Sequence, residues 1–385
     1  MTRLPHQPRL RIQERGHRQA AWSELFYDLA FVVIVAQLAH HLTAHLNLRG
    51  LTEFILLFIP VWWAWTGEVY YTTRFDSDAD KAKRLVGTVQ LVSLVVLAGA
   101  VGLGLEKGAL LFGAGYALVR TMQLVELWRA GRFIPAARPF TTYFTRGYGV
   151  GVALWWVSLL LPAELRPWAW AAGLLIEVGT SLLAGDLHRR FPPHVSHLPE
   201  RFGLFVILVL GESFAGTVRG LTERPDVEGI LRAALGVLIA VAVWWTYFDR
   251  LDDEAVKALA REGRSRPYLV WLYAHLPLTL GVTALGVATE LSVAGHEADH
   301  GLPVAWFLAG ALALYLAAEA TVCATAVGAG RPTLAMTWGV RLRLTAIPVV
   351  LLIPLLTHQP VWFLGLSAAT LWLIVLGDAR LERAA

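Results

Sequence analysis

The sequence predicts an all-α polytopic membrane protein, with twelve transmembrane helices arranged as two parallel six-helix repeats. Three observations predict it. Of 385 residues, 56% are hydrophobic and only 16% are charged, and mean hydropathy is +0.54. A soluble domain carries about 25% charged and about 45–50% apolar residues. The apolar residues fall in runs of about 20, the length of helix that crosses a hydrocarbon layer of about 30 Å. Basic residues alternate between dense and sparse from one gap to the next. With a single cysteine, Cys323, the chain is no disulfide scaffold.

Residues 1–23 form a basic arm holding Arg3, Arg9, Arg11, Arg15 and Arg18, with no apolar stretch among them, so no signal peptide is expected. Six runs follow at 24–45, 51–73, 84–104, 107–128, 146–161 and 167–185. A linker at 186–200 leads to six more at 201–219, 229–248, 268–291, 303–327, 340–357 and 360–377, then a tail at 378–385. Glycine and proline punctuate the gaps, as at Arg49-Gly50, Leu161-Pro162 and Gly301-Leu302-Pro303. With the N-terminus in the cytosol, the inner segments hold 5, 4, 4, 3, 5, 3 and 2 Lys or Arg, 26 of the 33 in the chain. The outer loops hold Arg49, Lys107, Arg166, Arg219, Arg224 and Arg232, and only Arg120 sits deep within a run. This alternation predicts twelve spans in a cytoplasmic membrane with both termini inside.

The halves, 24–185 and 201–377, share weak motifs in register. Glu24-Leu25-Phe26 corresponds to Glu200-Arg201-Phe202, and Val61-Trp62-Trp63 to Val243-Trp244-Trp245. Gly185-Asp186-Leu187-His188-Arg189 corresponds to Gly377-Asp378-Ala379-Arg380. The offsets of 176, 182 and 192 residues drift slowly and in order, as duplication of a six-span unit predicts.

Two stretches carry a family resemblance. Ser23-Glu24-Leu25-Phe26-Tyr27-Asp28-Leu29-Ala30-Phe31-Val32, and His197-Leu198-Pro199-Glu200-Arg201-Phe202-Gly203-Leu204-Phe205-Val206 continuing to Leu210-Gly211-Glu212-Ser213, resemble the bacterial low-temperature-requirement A family. Gly-Asp-Leu-His-Arg-Arg at 185–190 is similar to it as well, and the resemblance covers essentially the whole chain. It implies a multi-pass bacterial membrane protein connected by name with growth in the cold, and no particular substrate. Phe26-Tyr27-Asp28-Leu29-Ala30-Phe31 is also similar to the Phe-Ser-Asp first-helix motif of lysosomal and bacterial potassium channels. Tyr27 stands in place of the serine, so that motif's roles are not carried over.

Ionisable side chains deep in a bilayer need a partner or a wetted cavity, and they mark the candidate site. These are Arg120, Glu177, Glu212 and Glu319. Glu212 lies near the midplane, about 16 Å along its helix from Arg201 at 1.5 Å per residue, with Ser213 beside it. Arg120, Gln123 and Glu126 form a polar stripe at i, i+3 and i+6. Arg120 is expected to pair with Glu212 or Glu177, leaving an excess of buried acid suited to protons or metal cations. Asp28 is a further cation-attracting or bundle contact. Glu24 and Glu200 read as helix-start acids, with Arg201 at the interface. Glu68 lies about a turn from the inner end of its span.

Other patterns carry less. His296-Glu297-Ala298-Asp299-His300 matches H-E-x-x-H, but flanking glycines and Pro303 in a short loop leave no helix for a zinc enzyme. Asp186, His188, His194 and His197 cluster in the linker, where Pro192-Pro193 makes the chain extended. The tryptophans read as packing or interfacial anchors. Gly147 and Gly151, like Gly216 and Gly220, have small-xxx-small spacing for close helix contact. No catalytic group, cofactor, metal or nucleic-acid partner is expected; membrane lipids and a proton, small cation or small solute are. The sequence therefore favours a secondary transporter built around Glu212, Arg120 and Glu319. A cation channel, a membrane enzyme and a non-transporting stress or scaffold protein are the other readings.

Overall fold

A computed structural model describes residues 8–10, 21–76, 81–249, 254–295, 303–329 and 334–384. Helices account for nearly all of them. In chain order these are α1 (Trp22–Ala44), α2 (Leu48–Thr72), α3 (Lys81–Gly102), α4 (Gly104–Phe133), α5 (Arg138–Ser158), α6 (Arg166–Leu183) and the short α7 (Gly185–Arg190). There follow α8 (His197–Glu223), α9 (Val227–Phe248), the short α10 (Glu254–Glu262), α11 (Ser265–Ala294), α12 (Val304–Ala329), α13 (Leu334–Leu356) and α14 (Pro360–Ala384). Among the described residues the strand structure is a two-residue antiparallel pair, β1 (Arg9–Leu10) with β2 (Phe75–Asp76), which ties the basic arm to the end of α2.

Ten of the described helices are long and apolar enough to cross a membrane. The expected spans at 146–161 and 167–185 fall on α5 and α6, which are not among the ten. Thr, Tyr, Gly and Arg dilute α5, and α6 fits into 18 residues that include Arg166 and Glu177. Each starts with a proline in its first turn, where a missing N–H costs nothing.

By its contacts the chain forms two compact units. The first comprises the described residues within 1–37, 56–201 and 259–265, and the second those within 38–55, 202–258 and 266–385. In the first unit α3 packs along α4, α4 along α5, and α5 along α6. Gly104, with φ of 69°, makes the reversal that lets α4 run back along α3. The core between α4, α5 and α6 is aromatic, with Trp155 and Trp170 stacked at 5.1 Å and Tyr116 4.0 Å from Trp155. The buried Trp170 indole donates to Ser158 Oγ at 2.9 Å. In the second unit α12 packs along α13, α13 along α14, and α14 along α9.

The small-residue spacings mark close helix approaches. A Cβ on Gly151 would meet Glu177 Cγ and come within 2.9 Å of the Gly173 carbonyl oxygen. One on Gly220 would lie 2.6 Å from the Glu290 carbonyl oxygen, and one on Gly216 would lie 3.1 Å from that of Gly286. Gly147 faces the Thr180 side chain.

Helix α7 packs its histidine inward. His188 Nε2 lies 2.8 Å from the Ser181 carbonyl and Nδ1 3.0 Å from the Tyr70 hydroxyl. Burial and the nearby Arg74 guanidinium push the imidazole down to about 4 from an ordinary 6.5. The unfolded chain therefore takes up this proton first. The contribution of His188 to stability is expected to be complete above pH 6.5 and to fall by about 3 kcal/mol as pH drops to about 4, at about 1.4 kcal/mol per pH unit. Thermal unfolding of the detergent-solubilised protein across that window should show the slope, and His188→Asn should flatten it.

Candidate functional site

Between α1, α2 and α3 in the first unit lies a cavity of about 330 Å³. Ser23, Glu24, Phe26 and Tyr27 from α1 line it, with Glu68 and Thr72 from α2, Phe75, and the α3 face carrying Lys83, Gly87 and Gln90. Arg201, in the first turns of α8, completes it. Two buried ion clusters border this space.

In the first cluster, Lys83 Nζ lies 2.5 Å from Glu68 Oε1 and 2.6 Å from Glu126 Oε1. The third residue of α3 thus reaches back to bridge α2 and α4. In the second, the fully buried Arg201 lies 2.6 Å from Asp28 Oδ1 and 3.2 Å from Glu24 Oε2, which His197 Nε2 approaches to 3.1 Å. Trp65 Nε1 donates to the same Asp28 oxygen at 2.9 Å. Glu24 also accepts from the Ala21 N–H at 3.1 Å, so its expected part at the helix start holds. Arg201 differs from expectation, because it sits inside the bundle between two acids rather than at the interface.

The remaining predicted residues fall into three further clusters. Arg120 NH2 lies 2.7 Å from Glu177 Oε2, and Trp63 Nε1 donates to that oxygen at 2.5 Å. Gln123 accepts from Arg120 and donates to the Ala64 carbonyl at 2.7 Å. Arg120 therefore takes Glu177, one of the two partners weighed for it. Glu212 instead pairs with Arg219 at 2.5 Å, and Arg219 also holds Glu290 at 2.7 Å. The charge alternation places Arg219 in an outer loop, but it lies within α8, which runs on to Glu223. Ser213 lies beside Gly286. Glu319 pairs with Arg343 at 2.7 Å, and Arg343 holds Asp378 at 2.9 Å.

Each deep acid thus has a basic partner, and Arg120 is not alone at depth: Arg201 and Arg343 are fully buried too. The acid excess nevertheless persists. The clusters of Lys83, Arg201, Arg219 and Arg343 each set two carboxylates against one Lys or Arg, and only Arg120–Glu177 is one to one. The linker groups do not converge: His188 faces Tyr70, His197 faces Glu24, and Asp186 pairs with Arg189. No group of three metal-type ligands occurs among the described residues. The H-E-x-x-H stretch at 296–300 lies outside the described residues.

Long apolar helices tied together by buried ion clusters define a multi-pass membrane protein. Its membership follows from comparison. The chain belongs to the bacterial low temperature requirement A (LtrA) family, whose model matches residues 19–376. It is similar to a protein of Rhizobium meliloti (strain 1021) named Uncharacterized protein RA0937, 26% identical over 300 residues that make up 74% of this chain and 72% of that one. No solved structure matches.

Proposed function

We propose that the chain is a secondary transporter of the bacterial cytoplasmic membrane that loads a proton or small cation at Glu68, Lys83 and Glu126. The observation that carries this reading is the cavity of about 330 Å³ opening onto Glu68 and Lys83. Behind it Glu126 makes the second carboxylate on the one ammonium. If both acids are ionised the cluster carries one negative charge in excess, and a single proton or monovalent cation balances it. The cavity supplies the route that a deep acid alone lacks. The leading position thereby moves from Glu212, whose cluster is neutralised in part by the half-exposed Arg219.

In this reading α5 and α6 also cross the membrane, giving twelve spans with both termini in the cytosol. Two parallel repeats are supported by matching packing, α4 on α5 on α6 and α12 on α13 on α14.

The test is proton flux into proteoliposomes under an imposed pH gradient, followed with an internal pH dye. Glu126→Gln and Glu68→Gln are expected to slow it about a hundred-fold, the range of a lost proton-transfer group, while Glu212→Gln leaves it near wild type. Unchanged flux in Glu126→Gln removes the reading. The pairing of every deep acid with a cation favours a second reading, a non-transporting membrane protein. That reading expects no flux above empty liposomes.

A further inference from the structure

Gln90 is fully buried on α3, and neither its amide oxygen nor its nitrogen has a hydrogen-bond partner. A buried, unsatisfied amide is costly enough to need an explanation. It lines the cavity together with Lys83 and Gly87, at i, i+4 and i+7 on one face of the helix. Gly87 leaves the space beside it open, since a Cβ there would meet nothing within 4 Å.

The other lining groups limit what the cavity can take. Of the cations that line it, Lys83 is committed to Glu68 and Glu126 and Arg201 to Glu24 and Asp28, while Arg84 is exposed. An anion held by the buried cations would have to break these pairs. Glu24 Oε1, like the Gln90 amide, meets no hydrogen-bond partner, and Glu68 adds a second carboxylate to the lining. Glu24 Oε1, Glu68 Oε2 and the Gln90 amide oxygen are lining acceptors left without a hydrogen bond. Phe26, Phe75 and Leu91 give part of the wall an apolar surface that suits a hydrocarbon chain. The volume is at the lower end of small-molecule sites, about 300–1,000 Å³.

We propose that this cavity binds a small organic cation, a primary ammonium on a short apolar chain, with the ammonium held by the carboxylates and Gln90. The proposal rests on the transporter reading in that it names the substrate class for the same site. Binding is measured without transport, so the two can fail separately.

The probe is n-butylammonium chloride, titrated calorimetrically into the full-length protein in detergent, with potassium chloride and sodium butyrate as matched controls. Saturable binding of butylammonium alone is expected, with a rise in melting temperature that grows with its concentration. Gln90→Ala should weaken binding at least about ten-fold, the loss of one hydrogen bond to a charged group. Its melting temperature without ligand should not fall, because the amide it removes has no partner. Gly87→Leu fills the open space on a helix that tolerates leucine better than glycine, and should abolish binding. The proposal is overturned if butylammonium does not bind, if potassium or butyrate binds equally well, or if Gly87→Leu binds like wild type. Binding without proton flux would remove only the transporter reading; flux without binding would remove only this one.

Discussion

Arg343→Met is expected to lower the stability of the solubilised protein by about 3–5 kcal/mol, the cost of leaving buried charge without its partner. Arg343 is fully buried and lies 2.7 Å from Glu319 and 2.9 Å from Asp378. It also donates to the Gly339 and Thr246 carbonyls. Its removal leaves two acids facing each other in an apolar bundle. Adding Glu319→Gln should recover only part of the loss, because Asp378 still lacks the Arg343 guanidinium. The triple variant with Asp378→Asn should recover most of it. Arg343→Lys should not substitute, since one ammonium cannot reproduce a planar fork serving two carboxylates and two carbonyls. Unfolding in a denaturing-detergent titration measures each variant. A loss below about 1 kcal/mol, the worth of a wetted surface pair, would mean that water reaches the cluster.

The ratio of acid to base within each cluster separates structural from functional possibilities. A one-to-one pair is complete as it stands, and loading a proton onto it would break it. A two-to-one cluster has room for one more positive charge. Four of the five clusters are of this second kind, and two of them, those of Lys83 and Arg201, also border the cavity. Glu319 and Asp378 have the same ratio around Arg343, but neither lines the cavity that reaches Glu68.

The helical, membrane-type character was legible in the sequence because apolar run length maps directly onto helix length, and ten of the twelve expected runs fall on helices long and apolar enough to cross a membrane. The close approaches at Gly151, Gly216 and Gly220 were legible from their spacing. Asp28, Arg120, Glu126, Glu177, Glu212 and Glu319 stood out because ionised groups are rare inside apolar runs. Their partners did not stand out, for a physical reason. Lys83 and Arg201 lie near the starts of α3 and α8, and Arg343, well inside α13, lies near the start of the expected run 340–357, where counting charge for topology assigns them to the aqueous side. Counting registers the sign of a residue and not its burial. Long aliphatic stems let such residues point inward from a helix end. Trp63 and Trp65 carried a signal that was read only as packing: a buried indole N–H needs an acceptor, and theirs are Glu177 and Asp28. Gln90 carried none, because one amide in an apolar run is unremarkable until its lack of a partner is seen.

Arg120 and Glu177 should behave in the opposite way to the Arg343 cluster. Arg120→Met alone is expected to cost about 3–5 kcal/mol, since it strands a fully buried carboxylate. Arg120→Met combined with Glu177→Gln should return close to wild type, because no second acid remains and the glutamine oxygen can still accept from Trp63, now 2.5 Å from Glu177 Oε2. Gln123 keeps its bond to the Ala64 carbonyl, so the α2–α4 contact survives the exchange. A double-mutant cycle in the same denaturing-detergent titration isolates the pair, and a coupling of about 2 kcal/mol or more is expected for groups in direct contact. If the double variant is as damaged as Arg120→Met, Glu177 is not the group that needs Arg120. The guanidinium, packed 5.1 Å over the Tyr148 ring, would then be holding the helices together by packing rather than by charge.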